Sequence, residues 1–342
     1  MKRVLIIKMS SMGDVLHALP AITEAVQHLP ELQFDWVVEK GFEQIPSWHP
    51  SVDKVVVAST RAWRKNWWSS RAERKAFVDD LTSRKYDLVI DAQGLMKSAW
   101  IAHLAEGPVS GFSFLSVREQ LAAFLYKKRY NVPSGHAVKR LRALLSLSLD
   151  YTLGDQTNDY GIDLDGANFE CVEPAPKTLL FLHGTTWASK HWPESNWIDL
   201  TELAGKSGYT VWLPWWSEEE HQRCLRIAAS NDAAIVLPRG DLNSMRNHIS
   251  AVDAVVAVDT GLGHMAAALS VPCLSIYGAT DSTRTGTWGM NQQHLRARYN
   301  CSPCLARECN LLSETVLRPP CYESCSVDDV WRVLSKMLCL KH

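Results

Sequence analysis

The sequence predicts an α/β protein of two domains, each built on a mostly parallel sheet. Three observations carry this. Short, near-continuous runs of Val, Ile and Leu alternate with segments of helical periodicity, the pattern of strands buried on both faces. The alternation occurs twice, on either side of a polar break near 151–175. The length, 342 residues, is more than one hydrophobic core usually serves.

In the first half Arg3–Lys8 (RVLIIK), Phe34–Glu39 (FDWVVE), Lys54–Ala58 (KVVVA) and Asp87–Asp91 (DLVID) read as strands. Beyond the break the pattern restarts with Thr178–His183 (TLLFLH), Tyr209–Pro214 (YTVWLP), Ala233–Leu237 (AAIVL), Asp253–Asp259 (DAVVAVD) and Pro272–Gly278 (PCLSIYG). The domains are therefore placed at 1–160 and 176–342, with a linker over 161–175. A Cys-rich tail follows, and a C-terminal helix is expected to pack back on the first domain. Val15, Leu16, Leu19, Ile22, Val26 and Leu29 recur at helical spacing, and Pro20 among them predicts a kink or restart. Pro193 stands at an expected first helical position, with Trp197, Leu200 and Ala204 on one face.

Apolar residues make up 46% and charged residues 21%, as in an ordinary soluble chain. The apolar run Val4–Ile7 stops at Lys8, too short for a signal-peptide core, and no run of ~18 apolar residues could span a membrane. A cytoplasmic protein with reduced or metal-bound cysteines is expected. The net charge of −1 hides an asymmetry: residues 1–150 hold 21 Lys/Arg against 15 Asp/Glu, and the remainder holds 15 against 22. Asp155, Asp159, Asp163, Asp165 and Glu170 fall in one base-free stretch, read as solvated linker. The basic half favours an anionic partner.

The polar clusters follow strands, where open α/β sheets bind ligands. Ser10-Ser11-Met12-Gly13-Asp14 delivers a carboxylate to a helix start, as a cap or as a general base. With one glycine it is no G-x-G-x-x-G, so a dehydrogenase-type dinucleotide fold is unsupported. His183-Gly184-Thr185-Thr186 with Lys190 offers hydroxyls, amides and an ammonium, which suits a diphosphate; a polar turn with a surface lysine is the plainer reading. Asp259-Thr260-Gly261-Leu262-Gly263-His264 opens a helix with amides free to approach phosphate. Asp259 there would avoid the phosphate and take sugar hydroxyls. Glu218, Glu219 and Glu220 end another strand, as a ribose acceptor or a solvated helix start. Arg61–Lys75 carries six bases and one acid among Trp63, Trp67 and Trp68. That mix suits an anionic amphiphile at a membrane surface, single-stranded nucleic acid, or a core-facing stripe. Its like charges predict a loop that stays mobile until acceptor binds. Cys301, Cys304, Cys309, Cys321 and Cys325 form C-x2-C-x4-C-x11-C-x3-C, which allows zinc but fits no standard finger, so buried or free thiols are the plainer reading.

Taken together, KMSSMGDVLHALPAI, FDWVVEKGFEQIPSWH, AERKAF, VIDAQGLMKSA, KHWPE, VDTGLGHMAAAL and IYGATD are specific. Over residues 1 to about 290 the chain resembles the ADP-heptose:lipopolysaccharide heptosyltransferases, glycosyltransferase family 9. The resemblance implies a GT-B fold, two facing Rossmann-like domains with the active site between them. It implies inverting transfer of L-glycero-D-manno-heptose from ADP-heptose to the Kdo of Kdo-lipid A, without metal or other cofactor, at the cytoplasmic face of the inner membrane and with no nucleic acid partner. Asp14 would be the base and Lys190 the catalytic cation. Thr185, Thr186 and Lys190 would hold the diphosphate, Glu220 the ribose and Asp259 the heptose, with Thr260, Gly261 and His264 completing the donor loop. Ser10, Gly13, Arg61, Arg64, Lys65 and Arg118 would meet the acceptor. Ala62 departs from the family's arginine at that position, and the Cys-rich tail resembles other branches of the family. A heptose-on-heptose transferase is the nearest alternative; a non-catalytic binder of anionic lipid or nucleic acid is the alternative of another class.

Overall fold

The computed structural model of the protein describes residues 2–155, 158–164, 175, 177–229, 231–311 and 319–339. The chain divides into two compact units, Met1–Gly166 and Ala167–His342. Most of the expected linker, residues 165–174 with Asp165 and Glu170, lies outside the described residues.

In the first unit β1 (Lys2–Ile7), β2 (Leu32–Glu39), β3 (Val52–Ala58), β4 (Leu88–Asp91), β5 (Val109–Phe112) and β6 (Lys128–Tyr130) pair in parallel, in the order β3-β2-β1-β4-β5-β6. The helices are α1 (Met12–Leu16), α2 (Leu19–His28), α3 (Thr60–Lys65), α4 (Arg71–Leu81), α5 (Met96–Leu104) and α6 (Ala137–Leu149), with a 3-10 turn at Gln120–Leu125. Val4–Ile7 are fully buried, as a central parallel strand requires. The expected break at Pro20 is present: α1 ends at Leu16 and α2 restarts with Pro20 in its first turn, where a missing N–H costs no hydrogen bond. Arg142 on α6 donates to both oxygens of Glu24 on α2, at 2.8 and 2.7 Å, and both groups are buried. Its Nη2 also reaches the carbonyls of Gly154 and Asp155, so the buried charge is held by backbone as well as carboxylate oxygens.

In the second unit β7 (Thr178–Leu182), β8 (Thr210–Leu213), β9 (Ala234–Val236), β10 (Ala254–Val258), β11 (Cys273–Tyr277) and β12 (Gln292–Arg296) pair in parallel, in the order β12-β11-β10-β7-β8-β9. The helices are α7 (Glu194–Lys206), α8 (Glu218–Ala228), α9 (Leu242–Ala251), α10 (Gly261–Ala268), α11 (Ser282–Thr285) and α12 (Val327–Cys339). Trp197 of α7 is fully buried between Phe181 and Trp192, with ring centroids at 5.5 and 5.0 Å. Pro193 caps α7 rather than opening it, one position earlier than expected. Val330, Leu334 and Leu338 on the apolar face of α12 are buried in the second unit's core.

Each sheet reverses its strand order once, between β1 and β4 and between β7 and β10. The carboxyl ends at such a reversal leave a crevice for ligand.

Candidate functional site

The first reversal carries Asp14. The loop after β1 is held by Gln93, which follows β4: its side-chain oxygen accepts from the amides of Met9 and Ser10 at 2.9 and 3.3 Å, and its nitrogen donates to the Ser10 carbonyl at 2.8 Å. Gly13 is buried in α1, and Asp14, in the first turn of that helix, keeps 30% of its side chain exposed. One carboxylate oxygen accepts from the Ser11 amide at 2.8 Å and lies 3.2 Å from its hydroxyl. The other stands 3.6 Å from the ammonium of Lys8. The capping and base readings therefore share one side chain, each with its own oxygen. Burial pushes the Asp14 carboxyl up, but Lys8, the Ser11 amide and hydroxyl, and Arg118 outweigh it and hold it below the usual aspartate range. The group is thus ionised at neutral pH and able to accept a proton.

The basic segment is ordered as α3 and α4. Glu39 at the end of β2 accepts from the Thr60 hydroxyl at 2.7 Å and the Arg61 amide at 3.0 Å. Trp63 is buried against Phe77 and donates to Glu73 at 3.1 Å. The segment read as a basic loop is thus two helices held by carboxylates. Arg61, Arg64, Lys65, Trp67 and Trp68 remain exposed, with the Arg74 guanidinium 3.6 Å over the Trp67 ring. The core-facing reading holds for Trp63 alone.

The second reversal carries Lys190, Thr185 and Asp259. Lys190 lies 2.7 Å from Asp259, at the end of β10, and 4.4 Å over the Trp187 ring. Thr185 donates to the Asp259 carbonyl at 3.0 Å, while Thr186 points outward, exposed. Asp259 is 8% exposed; its second oxygen also accepts from Thr280 at 2.5 Å, and its first lies 3.9 Å from His264. Thr260 caps α10, leaving the first amides from Gly261 onward at a helix start, where the backbone dipole favours an anion. Gly263 sits where an added Cβ would be 3.3 Å from Ala257, so α10 presses closely on β10. Glu220 accepts from the amides of Trp216 and Ser217 at 2.7 and 3.3 Å in the capping box of α8. Its other oxygen stands over Gly184, where a Cβ would come within 2.3 Å of it. Helix start and ribose acceptor are thus compatible roles for one carboxylate.

Among the described residues no group of three or more His, Cys, Asp or Glu is disposed to hold a metal ion. Cys301, Cys304, Cys309 and Cys321 line one small pocket, but Cys321 and Cys325 are buried thiols, pushed up to about 12 and about 11 chiefly by burial. The tail has another task. The Tyr322 hydroxyl donates to the Lys190 carbonyl at 2.9 Å, and the Ser189 amide donates to Arg307 at 3.1 Å.

Sequence reasoning missed Lys8, Gln93, Thr280 and Tyr322. Lys8 was read only as the end of an apolar run; a lysine at the end of a fully buried parallel strand was the available signal. Gln93 and Thr280 also follow strands, within VIDAQGLMKSA and IYGATD, but their partners lie across the chain; Tyr322 left no signal.

Two Rossmann-like units, each gathering polar side chains where its strand order reverses, define a sugar-nucleotide-dependent glycosyltransferase of the GT-B class. Residues 74–314 match the family model for glycosyltransferase family 9 (heptosyltransferase), and the chain belongs to that family. It is 47% identical over 311 residues to lipopolysaccharide heptosyltransferase 1 of Pseudomonas aeruginosa, covering 90% of this chain and 87% of the relative. It is 44% identical over 301 residues to lipopolysaccharide heptosyltransferase 1 of Escherichia coli K12, covering 86% and 93%. The structure of E. coli heptosyltransferase WaaC with ADP superposes with a TM-score of 0.88 at 39% identity, over 98% of this chain and 99% of that one. The same enzyme with ADP-2-deoxy-2-fluoro heptose gives 0.86. Among the described residues no helix is long and apolar enough to cross a membrane.

Proposed function

We propose that this glycosyltransferase moves L-glycero-D-manno-heptose from ADP-heptose to the Kdo of Kdo-lipid A in synthesis of the lipopolysaccharide inner core, at the cytoplasmic face of the inner membrane. The observation that carries the reading is the gathering of Lys190, Thr185, Asp259 and the α10 amides at one strand-order reversal, with an ionised carboxylate, Asp14, at the other. Family membership, the heptosyltransferase 1 relatives and the E. coli structures with ADP and a fluorinated ADP-heptose support it.

Asp14 takes the proton of the acceptor hydroxyl as that oxygen attacks the anomeric carbon. The bond from that carbon to the diphosphate breaks, ADP leaves with the electron pair, and the configuration inverts. Lys190, Thr185, Thr186 and the α10 amides meet the charge that builds on the diphosphate, where preorganised donors act most strongly. Glu220 takes the ribose, Asp259 the heptose hydroxyls, and Thr260, Gly261 and His264 complete the donor contacts. This reading asks for no metal. Arg61, Arg64, Lys65 and Arg118, with Ser10 and Gly13, receive the acceptor's phosphates, carboxylate and sugar.

The test is product mass. With ADP-heptose and Kdo-lipid A, the acceptor gains one heptose per ADP released. Transfer only to an already heptosylated acceptor would reassign the chain to the heptose-on-heptose reaction. Asp14→Ala should lose about 10²–10⁴-fold in turnover while still binding ADP. Near-normal turnover of the folded variant removes Asp14 from the role.

A further inference from the structure

The first unit leaves a band of large apolar side chains in solvent. Trp100 on α5 is 57% exposed, and Leu121 and Phe124 on the adjoining 3-10 turn are 63% and 67% exposed. Leu115, in the segment after β5, is 87% exposed. These positions are joined rather than scattered. The turn packs on α5, and the Met96 amide at the start of α5 donates to Glu119 beside the turn at 2.7 Å. Phe124 meets Phe114 edge-on at 4.8 Å, and the Arg129 guanidinium covers Phe114 at 5.2 Å.

The band is also basic. Between Met96 and Tyr130 five bases (Lys97, Arg118, Lys127, Lys128, Arg129) face two acids, Glu106 and Glu119. Lys97, Lys127 and Lys128 are all exposed. A contiguous exposed apolar patch marks an interaction surface, since isolated exposed side chains suffice for an ordinary monomer. Tryptophan and leucine ringed by lysine match the headgroup region, where apolar groups enter the acyl boundary and ammonium groups stay with phosphates. A protein partner of ordinary composition would not call for this excess of one charge. The band is also near the chemistry, because Arg118, between Leu115 and the turn, is close enough to act on the Asp14 carboxylate.

We propose that α5 and the turn Gln120–Leu125 dock the first unit onto an anionic lipid bilayer, with Trp100, Leu115, Leu121 and Phe124 entering the interface and Lys97, Lys127 and Lys128 meeting lipid phosphates. For its purpose the proposal rests on the reaction above, because an acceptor sugar held by acyl chains is offered at just such a surface.

The experiment sediments the full chain with phosphatidylcholine vesicles, with and without phosphatidylglycerol. The protein should bind when phosphatidylglycerol is present and release at high salt. The double variant Trp100→Ser/Phe124→Ser should bind roughly tenfold more weakly at unchanged melting temperature, since two interfacial aromatics are lost. Lys127→Glu/Lys128→Glu should remove the preference for phosphatidylglycerol. On a soluble, deacylated Kdo acceptor the aromatic variant should turn over like the parent, and on acceptor embedded in vesicles it should fall behind. Three results overturn the proposal: no binding by the parent, equal binding by the aromatic variant, or binding lost only on Trp67→Ser/Trp68→Ser. A parent dimer that the aromatic variant makes monomeric would give this face to a second copy instead. Vesicle binding with no turnover on either acceptor would refute the reaction and leave the docking face standing.

Discussion

Replacing Lys8 by methionine should move the acid limb of the pH–rate profile toward neutrality without lowering the plateau much. Lys8 is 6% exposed; its ammonium lies 3.6 Å from Asp14 and donates to the Ala92 carbonyl at 3.2 Å. At 3.6 Å and an effective dielectric constant of ~20, the bare attraction comes to about 4–5 kcal/mol. Asp14 keeps 30% of its side chain in water, and water with salt screens roughly two thirds, leaving about 1.4 kcal/mol, or one pH unit. The sign follows from the proposed role of Asp14 as base. A base must be ionised, so rate falls as pH drops through its pKa; losing the cation raises that pKa, and the fall begins about one pH unit higher. Initial rates of ADP release between pH 4 and 9 give the profile, and Lys8→Arg should restore the limb. An unmoved limb in Lys8→Met, with the protein folded, would refute the argument that this ion pair sets the ionisation of the base.

Asp259→Asn removes a negative charge beside the proposed diphosphate site and releases Lys190 from its 2.7 Å partner. ADP should bind more tightly by about 1 kcal/mol, roughly fivefold, while turnover drops; calorimetry showing weaker ADP binding would reverse the assignment. Glu24→Gln leaves the Arg142 charge buried without its carboxylate. That should destabilise the first unit by about 3–5 kcal/mol in thermal or denaturant unfolding, and a loss under 1 kcal/mol would show the pair is dispensable. His49 accepts from the Ser51 amide through Nδ1 at 3.2 Å, so its proton sits on Nε2, 3.2 Å from Thr23. Burial, opposed by Asp159, holds its pKa down to about 4. Below about 6.5 the unfolded chain binds a proton that the folded site refuses, so stability falls as pH drops from 6.5 toward 4, by about 3 kcal/mol in all. His49→Gln should flatten that slope, which melting temperatures against pH would reveal; an unchanged slope assigns the acid sensitivity elsewhere.

The strands legible in the sequence were those with continuous apolar content. RVLIIK and DAVVAVD, at the centres of their sheets, were read to within a residue or two of β1 and β10. The strands left unread, β5 (VSGF), β6 (KRY) and β12 (QQHLR), are short or polar. The last two lie at sheet edges, where one side is free and solvent decides the composition, so their own residues carry no strand signal. Asp14, Lys190 and Asp259 were legible because each follows a strand by a few residues. The pairing of Lys190 with Asp259 was not, since it joins residues brought together only by the order β10-β7. The same limit hid Gln93, whose loop partners are 83 and 84 positions away.

The Tyr322 prop beneath Lys190 also sets an order of assembly. The lysine is translated 132 residues before the tyrosine whose hydroxyl fixes its carbonyl. A nascent or C-terminally clipped polypeptide can own both sheets and still lack a fixed seat for that lysine. In the proposed reaction, the seat of the lysine that meets the diphosphate is therefore complete only once Tyr322 has been made.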